Sequence, residues 1–114
     1  MSFEITHERV GRIAILHIDG QLLLGQQLRA AKTHMNNLGE TSAVLVDLSK
    51  TTKIDSAGLG ELLMWYSMAA RENRKLLLCG ASNNIRLMIQ TARVDGILLL
   101  TQDVETGVAE LNRS

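Results

Sequence analysis

Residues 43–63 read AVLVDLSKTTKIDSAGLGELL, and the change of pattern inside this stretch decides the fold. AVLVDL (43–48) is a short apolar run with two valines, as suits a strand buried on both faces. Further on, Leu59, Leu62, Leu63, Tyr66, Ala69 and Ala70 recur at helical spacing and line one side of a helix. Between the two runs lies DLSKTTKIDSAGLG (47–60), the longest polar connection in the chain, which ends in Gly58 and Gly60. A strand that feeds a helix through a loop at its carboxyl end is the building unit of α/β sheets, and function gathers at such loops.

The alternation continues in both directions. Upstream, FEITHE (3–8) alternates apolar and polar, and after Val10-Gly11 the run IAILHI (13–18) is apolar almost throughout. The two read as strands joined by a tight turn, the first at a sheet edge. From Gly25 the period is helical, with Leu28, Ala31, Met35 and Leu38 on one face and Gly39 where the helix would end. Downstream, KLLLCG (75–80) reads as another buried strand, and Ser82 can cap a helix carrying Ile85, Met88, Ile89 and Ala92. ILLL (97–100) then precedes a last helix with Val104, Val108 and Leu111. The predicted order is ββαβαβαβα, an α/β fold in one domain over residues 1–114. It is a mostly parallel sheet with right-handed crossovers, an antiparallel edge strand and helices packed against it.

Composition excludes several function classes. Twelve basic and twelve acidic residues cancel, leaving no whole-molecule field to gather nucleic acid or an anionic membrane surface. One Phe, one Tyr and one Trp offer little surface for stacking on bases. The N-terminus carries no export signal, and the apolar runs are too short for membrane insertion. Cys79 is the only cysteine, which excludes an internal disulfide and fits a reducing, cytoplasmic location.

No catalytic residue or cofactor emerges. Ser56 follows a strand and precedes a helix, as a hydrolase nucleophile would. However, Ile54 stands where the nucleophile elbow needs glycine, and no histidine follows His34. Gly58-Leu59-Gly60 lacks the third glycine of a dinucleotide fingerprint, and there is no Walker loop. Asp47 ends a strand as the phospho-acceptor of response-regulator receivers does, yet the acidic pair and the lysine that accompany it there are missing. His7, His17, His34 and Cys79 are scattered without ligand spacing, so no metal is expected.

What remains is the loop itself. Asp55 or Ser56 can cap the helix that follows. Gly58 and Gly60 each cost on the order of 1 kcal/mol in a helix interior, which calls for a packing reason or for close access by another molecule. A phosphate on Ser56 would sit at the positive end of a helix and be tolerated by the fold. Beside Asp55 and Glu61 its charge would change what can dock.

These residues resemble the signature of the STAS domain, the fold of bacterial anti-sigma factor antagonists. AVLVDLS, the loop and IDSAGLGELL match its central part. KLLLCG, NNIRLMIQTARVDGILLL and DVETGVAEL match the strands and helices that follow. The resemblance implies that Ser56, in a D-S-x-G-L-G pattern, is the phospho-acceptor of a serine kinase that is also the anti-sigma factor. Asp55, Ala57, Gly58, Leu59 and Gly60 would shape the surface facing that kinase. One residue departs from the pattern: many members carry G-E-L-D after the second strand, whereas this chain has Gly20-Gln21-Leu22-Leu23. Leu23 cannot act as a carboxylate, although Asp19 is nearby.

On the helix after the loop, Met64 and Met68 fall away from the apolar stripe together with Glu61, and Trp65 lies at its flank. These four extend the expected partner surface, with half-burial against a neighbouring element as the other reading for Trp65. The expected function is that of a bacterial anti-sigma factor antagonist, a phosphoprotein regulating transcription by partner switching. It binds an anti-sigma factor serine kinase and is switched off by phosphorylation of Ser56. The alternative is a STAS accessory subunit docked constitutively on the ATPase or transporter of a membrane lipid or anion transport complex. Direct contact with nucleic acid is not expected, and the oligomeric state is open between monomer and weak dimer.

Overall fold

Strand β2 (Ile13–Leu22) is the spine of the sheet, and every other strand is placed by what it pairs with there or beyond. The structure is a computed structural model that describes residues 3–113. Met1, Ser2 and Ser114 of the expected 1–114 domain lie outside the described residues. On one side of β2 runs β1 (Glu4–Val10), antiparallel, with Val10 opposite Ile13 across the turn. On the other runs β3 (Ala43–Asp47), parallel, followed outward by β5 (Lys75–Cys79) and β6 (Leu100–Thr101), both parallel. The helices are α1 (Gln26–Asn36), α2 (Ser56–Arg71), α3 (Asn83–Thr91) and α4 (Val104–Asn112). The mostly parallel sheet with an antiparallel edge strand is as expected.

The element order differs in one place. Thr51–Ile54, expected inside the polar loop, forms a short strand β4 parallel to the end of β2, with a register shift within the pairing at Gly20/Gln21. TTKI is too short and polar to announce itself. Its pairing is secured by the Thr51 hydroxyl, which donates to the Ile18 carbonyl at 2.7 Å, and by Thr52, which donates to that of Gly20 at 3.2 Å. The full order is therefore ββαββαβαβα. ILLL also contributes less strand than expected. Leu98 is buried, but its amide donates to the Val94 carbonyl in a turn, so only Leu100 and Thr101 join the ladder.

Because side chains alternate along a strand, the sheet has two apolar faces. Ala14, Leu16, Ile18, Val44, Val46, Leu76 and Leu78 meet Leu28, Ala31 and Met35 of α1, Leu59, Leu62, Trp65 and Ala69 of α2, and Ile85 and Ile89 of α3. Each large aliphatic side chain so buried contributes roughly 1.5–3 kcal/mol. The opposite face, Ile13, Ile15, Leu45, Leu77 and Cys79, is covered by α4 through Leu111, Val104 and Val108. Gly107 lets α4 approach, since a Cβ there would stand 2.7 Å from Leu45 Cδ1. Among the described residues no helix is long and apolar enough to cross a membrane.

Candidate partner-binding site

The Ser56 loop is built by two carboxylate oxygens. Asp55 is the N-cap of α2, with Oδ1 accepting the Gly58 amide at 2.8 Å and Oδ2 accepting the Leu24 amide at 3.0 Å. The first bond starts the helix; the second ties the loop after β2 to it. Hydrogen bonds from the Leu24 and Gly58 amides hold the Asp55 carboxyl below the usual aspartate value. Of the two capping candidates, Asp55 takes the role. Ser56 is the first residue of α2, exposed, and its hydroxyl makes no hydrogen bond to any described residue.

The two glycines differ. A Cβ on Gly58 would lie 2.4 Å from the Leu22 carbonyl oxygen and 2.9 Å from Ile54 Cγ2, whereas one on Gly60 would meet nothing within 4 Å. Gly58 therefore serves packing of α2 on the end of β2 and is not a point of access for another molecule. Gly60 faces open space.

Of the nine residues expected to contact a partner, four are corrected by burial: Gly58, Leu59, Glu61 and Trp65 all point inward. Trp65 is 1% exposed and Glu61 8%. The reason is an i to i+4 hydrogen bond that no hydropathy pattern reveals. Trp65 Nε1–H donates to Glu61 Oε2 at 2.6 Å, while Lys32 of α1 reaches Glu61 Oε1 at 3.6 Å. Each polar atom finds its partner internally, so both side chains fill the seam between α1 and α2. The helix is rotated accordingly. Tyr66 and Ala70, expected in the core, stand at the surface, and Leu63 is half-buried.

The exposed part of the expected surface consists of Ser56, Gly60 and Met64, spaced i, i+4, i+8 along one ridge of α2. Half-buried Asp55 and Ala57 lie at its start and half-buried Met68 at its far end. Met64 is 52% exposed. Beside the start of the ridge, held by the bond to Asp55, is Leu24 at 73%. Leu23 is half-buried. Sequence reasoning missed Leu24; the signal was Leu22-Leu23-Leu24 before Gly25, three consecutive leucines of which the core takes only the first in full.

A second polar group lies on the α4 face, at the carboxyl ends of the strands. Thr6, His17, Asp47, Cys79 and Thr101 stand in one row across the sheet. His17 Nδ1 donates to Asp47 Oδ2 and Nε2 to Glu8 Oε2, both at 2.7 Å. Partial burial opposes the imidazolium, but the bonds to Glu8 and Asp47 outweigh it and raise the His17 pKa from the ordinary 6.5. Burial likewise opposes the Asp47 carboxylate, and the bonds from Ser49 and His17 outweigh it, so its pKa is lowered. Burial and then Asp47 push the Cys79 thiol up to about 12. With both ring nitrogens occupied and the thiol protonated, this row ties strands together and offers neither base nor nucleophile.

A family model described as "Mlab, STAS domain" matches residues 5–101. Among curated proteins, none matches the sequence. Solved structures share the fold at low identity. An anti-sigma factor antagonist from Mycobacterium paratuberculosis has a TM-score of 0.85 at 16% identity, over 97% of this chain and 95% of that one. The Bacillus cell fate determinant SpoIIAA in its phosphorylated form gives 0.69 at 18%, over 94% and 98%. A sulfate transporter family protein from Wolinella succinogenes gives 0.79 at 15%, over 91% and 88%.

Proposed function

Since the chain belongs to the STAS domain family, we propose that it is an anti-sigma factor antagonist whose docking surface is the ridge Ser56–Gly60–Met64 with Leu24 beside it. The partner is an anti-sigma factor serine kinase in the cytoplasm, and phosphorylation of Ser56 ends the binding. The observation that carries this reading is the division of labour at the head of α2. Asp55 does the capping, so the Ser56 hydroxyl is exposed and spare.

The chemistry of the switch follows from that arrangement. A phosphate on Ser56 adds up to about two negative charges next to the Asp55 carboxylate, which is held ionised by two amides. The free amides of the first helical turn offset part of this repulsion within the fold. A partner that packs on Gly60 and Met64 meets the charge without such compensation. Each 1.4 kcal/mol of difference changes its affinity about tenfold. To test the modification, the chain is incubated with a candidate kinase and ATP, and the product is mapped by mass spectrometry. Phosphate on Ser56 is expected; phosphate elsewhere or none at all rejects the switch.

A second reading is favoured by the apolar character of the loop after β2. Leu23 stands where many relatives carry an acid, and Leu24 is exposed at 73%. Such a surface suits a constitutive accessory subunit of a lipid or anion transport complex, docked on its ATPase or transporter. Co-purification of transporter components that is unaffected by Ser56→Asp would decide for this reading.

A further inference from the structure

We propose that His7 and His34 form a binding site for a borderline divalent transition-metal ion, Zn²⁺, Ni²⁺ or Cu²⁺, apart from the Ser56 surface. In this site the two Nδ1 atoms are the protein's ligands. The residues are 27 positions apart in sequence, one on the edge strand β1 and the other in the last turn of α1, and the fold brings their Nδ1 atoms to 3.4 Å. Their spacing in the chain gave no sign of this.

The distance admits two interactions. A hydrogen bond from one ring N–H to the other ring nitrogen is expected at roughly 2.7–3.2 Å. Two nitrogens bound tetrahedrally to one ion at about 2.0–2.1 Å from the metal stand about 3.4 Å apart. The observed 3.4 Å is a long N–H···N contact between the two rings and equals the separation an ion would need, so an ion bound there takes the place of the shared proton. The ring centroids are 5.5 Å apart with the planes inclined at 74°, further apart than the nitrogens, so the rings converge with their nitrogens foremost.

The surroundings favour a cation. His34 is in the last turn of α1, whose C-terminal end carries the negative pole of the helix dipole. His7 is exposed and His34 half-buried, so solvent metal reaches both. Among the described residues no cluster of three His, Cys, Asp or Glu able to hold a metal ion occurs. The remaining coordination positions therefore go to water or to a donor from another molecule. Imidazole nitrogen suits Zn²⁺, Ni²⁺ and Cu²⁺ better than Mg²⁺ or Ca²⁺. A bound ion would clip the edge strand to α1, where Arg9 already reaches across to the Leu38 carbonyl at 2.9 Å.

The test is calorimetric titration of the tag-free full chain with ZnCl₂ and with NiCl₂. One ion per chain is expected, together with a rise in melting temperature. His7→Ala and His34→Ala should each weaken binding at least about tenfold and abolish the rise, while His17→Ala should retain both. If a variant folds poorly, ¹⁵N imidazole spectra of the unmodified chain serve instead: Zn²⁺ should shift the Nδ1 resonances of His7 and His34 together and leave His17 in place. No binding, binding that survives both alanine variants, or a response from only one of the two rings would overturn the site.

Discussion

Gly58 and Gly60 lie two residues apart, and their surroundings call for opposite outcomes on substitution. Gly58→Ala drives a Cβ onto the backbone oxygen of Leu22, which cannot move without disturbing β2 and β4. A loss of about 1–3 kcal/mol is expected. Gly60→Ala meets open space and should be neutral or stabilising by up to about 1 kcal/mol. Urea titration of both variants checks the pair; equal losses would contradict the packing described. The Asp55 cap contributes about 1 kcal/mol, so Asp55→Ala should lower the unfolding free energy from urea titration by about that amount while Ser56→Ala leaves it unchanged. At this scale the sequence identified the loop but left Asp55 and Ser56 as equal candidates for the cap. Both types can accept an amide of the first turn, and the choice is made by position: Asp55 stands before the helix with Oδ1 on the Gly58 amide, and Ser56 is already the first helical residue.

At the scale of the element, α2 shows how far a hydropathy pattern reaches. Its existence, its start and its role in covering the sheet follow from the spacing of Leu59, Leu62 and Ala69. Its rotation does not, because Glu61 and Trp65 satisfy each other and are buried as a pair with Lys32 beside them. Trp65→Phe keeps most of the bulk but leaves the Glu61 carboxylate short of a donor, at an expected cost of about 1–3 kcal/mol. The discriminating measurement sets stability against partner affinity. A buried Trp65 predicts that the variant loses stability, whereas an interface Trp65 would leave stability intact and weaken binding alone. β4 was illegible for a related reason. A strand of four residues with two threonines and a lysine is held by hydroxyl bonds to β2, and those bonds leave no mark in an apolar pattern. The long elements were legible because each has a full apolar face. On α1, the expected Leu28, Ala31 and Met35 are the buried set.

At the scale of the whole molecule, the Glu8–His17–Asp47 row links three strands across the open part of the α4 face, and its charge makes stability depend on pH. The His17 pKa is raised in the folded chain. Its contribution is therefore fully present below the unfolded value of about 6.5 and is lost as pH rises through the folded value. The urea midpoint should thus be higher at pH 6 than at pH 9, and His17→Gln should remove most of that difference; an unchanged difference would show that the row is not its source. Asp47 acts with the opposite sign. Its depressed pKa contributes stability that is lost only as pH falls through the folded value, below about 3.8. In the proposed function the switch is one exposed hydroxyl, that of Ser56 at the head of the α2 ridge. The most direct test of that claim is the affinity of the anti-sigma factor kinase for Ser56→Ala and Ser56→Asp, measured side by side by calorimetry. The account predicts that Ser56→Ala binds as the unmodified chain does and that Ser56→Asp binds at least about tenfold more weakly. Equal affinities for the two variants would contradict it.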